Sequence, residues 1–196
     1  MTLEGAENLL TAAYMAEVES RHRKPMMDET TEKNIREVAE FLTARDTKFG
    51  MMFCGLCGNG KTTMLYAIQN ATNYLRNIEH FDKKVWGNAD IGLQIVDSRK
   101  IIQLRNKDFS QWEKLRGRFM LGIDDLGTEP TEVMDYGNIL SPLVELMEYR
   151  YDRQLFTILT TNVKPKDISE KYGARLADRF NEMLRVIVFE NKSYRK

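Results

Sequence analysis

Residues 55–62 read Gly-Leu-Cys-Gly-Asn-Gly-Lys-Thr, a complete G-x-x-x-x-G-K-[ST] phosphate-binding loop. Gly55, Gly58 and Gly60 allow backbone N–H groups to turn inward on an anion, with Asn59 and Thr63 completing the turn. Lys61 can reach the β- and γ-phosphates of a nucleotide, and the Thr62 hydroxyl can sit on Mg²⁺. The apolar run before the loop, residues 50–54, suits a buried strand. Residues 62–71 carry apolar side chains at helical spacing. Strand, glycine loop and helix form the context the motif needs, because the helix N-terminus adds partial positive charge where the phosphates lie. The chemistry implied is binding of a nucleoside triphosphate.

Fate of the γ-phosphate depends on a second group of residues. The run Phe119-Met-Leu-Gly-Ile-Asp124-Asp125 is an apolar strand ending in two carboxylates, the form of a Walker B element. Asp124 is placed to hold Mg²⁺ with Thr62, as a hard cation requires oxygen donors. Adjacent strand residues point to opposite sides, so Asp125 is expected to face away from the metal and polarise an attacking water. Residues 155–162, Leu-Phe-Thr-Ile-Leu-Thr-Thr-Asn, form a β-branched strand ending in Asn162. A parallel sheet gathers ligand chemistry at the C-terminal ends of its strands, which makes Asn162 a candidate sensor of the γ-phosphate or the lytic water. An ordinary turn asparagine is the alternative. Arg175 and Arg179 stand at i and i+4, on one helix face. Such a pair serves either as a salt-bridged surface or as an arginine finger acting on a neighbouring subunit.

These residues need a scaffold of alternating elements. Strand-like runs at 50–54, 91–97, 119–125, 155–160 and 185–190 alternate with helical stretches, which predicts a parallel sheet covered on both faces. Asp97 or Ser98 is placed to cap one helix and Thr131 another. Before the first strand, residues 3–18 and 32–42 are helical in pattern, separated by Arg21-His-Arg-Lys-Pro25. With 196 residues and a net charge of zero, one medium α/β domain is expected, with no global field towards nucleic acid. No run of eighteen apolar residues and no basic-then-apolar leader is present, so a cytoplasmic protein is expected. Cys54 and Cys57 have a C-x-x-C spacing, but one ends a strand and the other lies inside the phosphate loop, and no second ligand pair completes a zinc site.

The order of these motifs is itself informative. GLCGNGKTTML, then GIDDLGTEP, a helix ending in Glu148-Tyr-Arg-Tyr, TILTTN, GARLADRF and a closing Ser-Tyr-Arg195 follow one another. In this the chain resembles the AAA+ ATPases of the DnaC/IstB type, bacterial replicative helicase loaders and transposition helper ATPases, over roughly residues 45 to 196. The resemblance implies a P-loop AAA+ sheet of five parallel strands in the order 5-1-4-3-2, with helices on both faces. It implies Mg²⁺-ATP as ligand, Lys61 and Thr62 on phosphate and metal, Asp124 on Mg²⁺, and Asp125 activating water. Asn162 would be sensor 1, Arg179 or else Arg175 the finger in trans, and Arg195 a sensor-2-like arginine. An N-terminal helical extension (residues 1–46) and an ATPase core (47–196) follow, with no C-terminal helical lid expected.

The implied activity is an ATP-driven switch in DNA replication that assembles as a nucleotide-dependent homo-oligomer on a replicative helicase, single-stranded DNA or both. A transposition helper with a transposase partner is the alternative, and a small-molecule P-loop kinase a more distant one. A nucleotide-gated adaptor that scarcely hydrolyses ATP is a third. No membrane partner is expected. Between the second and third strands, Arg99, Lys100, Arg105, Lys107, Lys114, Arg116 and Arg118 are interleaved with Phe109 and Trp112. Such a pattern suits single-stranded DNA by phosphate contact and base stacking, or else a solvated helix with its aromatics turned inward.

Overall fold

A computed structural model describes residues 1–44, 48–77, 92–135 and 138–194. Two helices come first, α1 (Leu3–Ser20) and α2 (Glu29–Thr43). Each has its N-terminal amides capped by a side chain, Thr2 for α1 and Asp28 for α2. Then follow β1 (Gly50–Gly55), α3 (Lys61–Asn77) and β2 (Gln94–Asp97). Helices α4 (Ser98–Lys107) and α5 (Phe109–Arg116) lead to β3 (Met120–Leu126). A hairpin of β4 (Val133–Asp135) and β5 (Asn138–Leu140) precedes α6 (Pro142–Asp152) and β6 (Phe156–Thr161). The short α7 (Ile168–Tyr172), α8 (Ala174–Met183) and β7 (Leu184–Phe189) complete the series.

The main sheet is parallel, in the order β2-β3-β6-β1-β7. Leaving the hairpin aside, this is the expected order 5-1-4-3-2 read from the opposite edge. Alternation along the central strands divides the core in two. Met51, Phe53, Ile158 and Ile187 meet Leu10, Val38, Leu65 and Ile68 of α1–α3. Met52, Cys54, Leu121, Ile123 and Leu159 meet Trp112, Leu146, Ile168 and Phe180 of α5–α8. Burying each large side chain contributes about 1.5–3 kcal/mol, so the sheet is held from both faces. Gly122 lets α3 lie close on β3, since a Cβ there would stand 2.9 Å from Leu65 Cδ1.

One expectation is corrected and another is narrowed. Thr131 caps no helix; the chain forms the β4–β5 hairpin, and α6 starts where Pro142 fixes a helical φ, behind Ser141. Of Asp97 and Ser98, Asp97 is the cap, accepting from the Arg99 N–H at 2.8 Å. Among the described residues no helix is long and apolar enough to cross a membrane.

Arg150 of α6 is fully buried, and among the described residues no carboxylate pairs with it. It donates instead to the carbonyls of Arg116, Arg118 and Phe156 at 2.7–3.0 Å and to Thr157 Oγ1 at 2.8 Å. Burial pushes its pKa down to about 9, so it stays protonated at neutral pH. It thereby ties the turn before β3 to the start of β6. Arg150→Ala strands these acceptors, each unsatisfied buried group costing ~1–3 kcal/mol, and should lower the urea unfolding free energy by about 3 kcal/mol or more. A loss below about 1 kcal/mol would show that this turn needs no such tie.

Candidate nucleotide site

Sheet order brings the ends of β1, β3 and β6 side by side, with the N-terminus of α3 above them. Thr62 Oγ1 donates to Asp124 Oδ1 at 2.9 Å, and Thr160 Oγ1 donates to the same oxygen at 2.6 Å. Lys61 is buried, and its Nζ donates to the carbonyls of Gly55 and Leu56 at 2.8 and 2.7 Å and to Asn59 Oδ1 at 3.0 Å. All three acceptors are neutral. Burial lowers the Lys61 pKa, partly offset by the Cys57, Asp125, Cys54 and Asp124 side chains. An anion at this loop would meet a positive charge that no carboxylate has neutralised.

The two carboxylates do not lie on opposite sides of a regular strand. Register slips between Ile123 and Leu126, and Asp125 takes a left-handed φ of 56°. Asp is among the few residues that tolerate this conformation. Its N–H donates to Thr160 Oγ1 at 2.9 Å. Its carbonyl accepts from Ser98 Oγ at 3.0 Å, Thr128 Oγ1 at 2.9 Å and the Thr128 N–H at 3.2 Å. The local twist, not strand alternation, aims Asp125 into the cleft. Burial there raises its pKa, helped by Asp124 and Asp97 and opposed by Lys61 and Arg99.

A cleft of about 1000 Å³ opens from this point. Gly58 through Thr63, Asp125, Thr128 and Asn162 line one side. Tyr14, Val18, Arg21, Met26, Asp28 and Tyr194 line the other. This second wall was not anticipated. Asp28 accepts from the Thr31 N–H at 2.8 Å, Asn191 Nδ2 at 3.0 Å and Tyr194 Oη at 2.8 Å. Asn191 also donates to Tyr194 Oη, and the Tyr194 N–H donates to the Gly58 carbonyl at 2.9 Å. Residues 191–194 thus join α2 to the phosphate loop. Polar types at 28, 31, 191 and 194 were the only signal, and pairs some 160 positions apart leave no local pattern.

Asn162 follows β6 and donates to Cys57 Sγ at 3.3 Å, at the outer lip of the loop. Cys54 is buried and Cys57 exposed, and both are free thiols. The paired arginines lie away from this cleft, both against Glu148. Arg179 is only 14 % exposed, 3.0 Å from Glu148 and 3.7 Å from Asp152, with its guanidinium over the Tyr151 ring. Arg175 is 75 % exposed and touches Glu148 alone of these, at 3.2 Å. Arg195 lies outside the described residues.

The basic segment divides as well. Arg105 is paired with Glu145 at 2.9 Å and lies over Phe109 and Trp112. Arg116 is paired with Glu113 at 2.6 Å and lies over Tyr149. Trp112 is fully buried, whereas Lys107, Lys114 and Phe109 are exposed.

Mg²⁺ fits the oxygen pair at the centre. Thr62 Oγ1 and Asp124 Oδ1 stand 2.9 Å apart as a hydrogen-bonded pair, and both are hard oxygen donors of the kind Mg²⁺ takes. Among the described residues no cluster of three or more His, Cys, Asp or Glu could hold a metal.

Comparison of the whole fold points the same way. A DnaC helicase loader superposes with a TM-score of 0.62 at 21% identity, over 85% of this chain and 93% of that one. DnaI superposes at 0.64 and 21%, over 87% of both chains. A replication initiator DnaA bound to AMPPCP and single-stranded DNA gives 0.53 and 16%, over 84% of this chain and 46% of that one. The chain has the AAA+ fold of the DnaC-type loaders. No protein-family model and no curated protein sequence matches it, so the likeness is one of AAA+ architecture.

Within this AAA+ fold the wall opposite the phosphate loop depends on Asp28. Burial opposes its ionisation, but hydrogen bonds from Thr31, Tyr194 and Asn191 outweigh it and hold the carboxyl below its ordinary 3.8. A depressed folded pKa contributes stability above the unfolded value, lost as pH falls through the folded one. Asp28→Ala should therefore cost about 1–2 kcal/mol at pH 7, the worth of a helix cap, and much less at pH 3. Urea unfolding of both proteins at the two pH values measures this; an equal difference at both would contradict it.

Proposed function

We propose that the protein is an Mg²⁺-ATP-dependent AAA+ switch acting in DNA replication, assembling head to tail on a replicative helicase, single-stranded DNA or both. The observation that carries this reading is the convergence of Lys61, Thr62, Asp125 and Asn162 on one cleft, with Asp124 hydrogen-bonded to Thr62 behind them. The named neighbours support the setting, being helicase loaders and an initiator bound to an ATP analogue and DNA.

In this reading Lys61 and the loop amides bind the β- and γ-phosphates. Thr62 and Asp124 would hold Mg²⁺, which when bound would supply charge neutralisation for the phosphate oxygens. Asp125 takes a proton from the attacking water, with its raised pKa favouring acceptance. Asn162 orients that water. Of the two arginines we assign Arg175 as the residue offered to the neighbouring subunit. Arg179 is committed to two carboxylates and an aromatic face. Release of Arg175 breaks one exposed ion pair, worth at most about 1 kcal/mol. For DNA, exposed Lys107, Lys114 and Phe109 are the contacts, while Arg105 and Arg116 brace α4 and α5. A kinase-type acceptor lid is disfavoured because α7 and α8 are anchored in the core through Ile168, Tyr172, Leu176 and Phe180.

Steady-state phosphate release from Mg²⁺-ATP tests the reading, across protein concentrations and with or without single-stranded DNA. The rate per subunit should climb with concentration. It should fall on the order of 10³-fold in Arg175→Ala, the scale of an arginine finger, with ATP binding retained. Arg179→Ala should instead lower the melting temperature. A rate flat in concentration and untouched by Arg175→Ala would remove the trans mechanism.

A further inference from the structure

The loop after Asp125 contains a buried carboxylate that the mechanism above does not use. Glu129 is 3 % exposed, and among the described residues its hydrogen bonds come from neutral donors. Its Oε2 accepts from the Gly127 N–H at 2.9 Å, and its Oε1 accepts from the Tyr172 hydroxyl. Lys171 Nζ donates to the Gly127 carbonyl at 2.7 Å. Both backbone polar groups of Gly127, a residue with φ 105°, are thus tied to the end of α7, the N–H through Glu129 and the carbonyl directly by Lys171. On the other side Thr128 grips the Asp125 carbonyl through its hydroxyl and its N–H. A buried carboxylate is costly unless its bonds are made, so its presence here argues for a fixed geometry rather than for stability.

What that geometry fixes lies three residues beyond Tyr172. Tyr172 ends α7, Gly173 follows with φ 88° and open space around its Cα, and Arg175 stands in the first turn of α8. Gly173 offers no side-chain cap to α8. The clamp on Lys171 and Tyr172 is therefore the nearest anchor upstream of Arg175. We propose that Glu129, with Tyr172 and Lys171, is a positioning residue that sets Arg175 from the loop carrying Asp125. The state of one nucleotide site is thereby transmitted to the arginine that the same subunit presents to its neighbour. This rests on the trans-arginine reading above.

The test mixes two crippled proteins. One, the donor, carries Asp125→Asn and keeps its arginine. The other, the acceptor, carries Arg175→Ala and keeps its carboxylates. Together they should regain phosphate release. Adding Tyr172→Phe to the donor should reduce that regained rate about 10-fold or more, as ångström-scale misplacement costs up to ~10²-fold. Adding it to the acceptor should leave the rate within about twofold. Lys171→Met in the donor, a change at the surface, should act in the same direction and serves where Tyr172→Phe lowers the melting temperature. Undiminished rescue by both modified donors, or a loss confined to the modified acceptor, would overturn the proposal. Absence of rescue by the unmodified pair would instead remove the trans-arginine reading, and this inference with it.

Discussion

One carboxylate oxygen organises the site. Asp124 Oδ1 accepts from Thr62 at the start of α3 and from Thr160 at the end of β6. That meeting is possible only because β3 lies beside β6, and β6 beside β1, whose loop leads into α3. Thr160 then takes the N–H of Asp125, which forces the chain out of strand geometry and turns the second carboxylate towards the cleft. The Thr62–Asp124 contact and the aim of Asp125 both follow from this arrangement of hydroxyls around one oxygen.

The rest of the molecule supports that centre from two sides. α1 and α2 pack on α3 and β7 and bring Tyr14 and Asp28 to the far wall of the cleft. Residues 191–194 bind this wall back to the phosphate loop. On the opposite face α8 carries the paired arginines against Glu148 of α6, with Arg179 packed and Arg175 outward. The phosphate-loop cleft and the paired arginines thus occupy different faces, with the loop 125–129 bonded to the end of α7 between them.

Much of this could be read from the chain. The phosphate loop and the Asp124-Asp125 strand are local patterns, since each depends on residues a few positions apart. The parallel sheet followed from alternating strand and helix periods, and its order from the family resemblance. Three features were not legible for physical reasons. The hairpin at 133–140 is short and presents Met134 and Ile139 to the surface, so it has no amphipathic signature. Asp125 departs from strand alternation because of hydrogen bonds to Ser98 and Thr160, remote in sequence. Arg175 and Arg179 are equivalent by spacing and differ only in what Glu148, Tyr151 and Asp152 place around them.

The central claim is that Thr62 and Asp124 form the metal edge of an ATP site. Calorimetric titration with ATP, with and without Mg²⁺, tests it most directly in the native protein and in Asp124→Asn. The account predicts tighter binding of ATP to the native protein when Mg²⁺ is present, and loss of that Mg²⁺ dependence in the variant with Mg²⁺-free affinity retained. Equal Mg²⁺ dependence in both proteins, or no binding of ATP to the native chain, would contradict it.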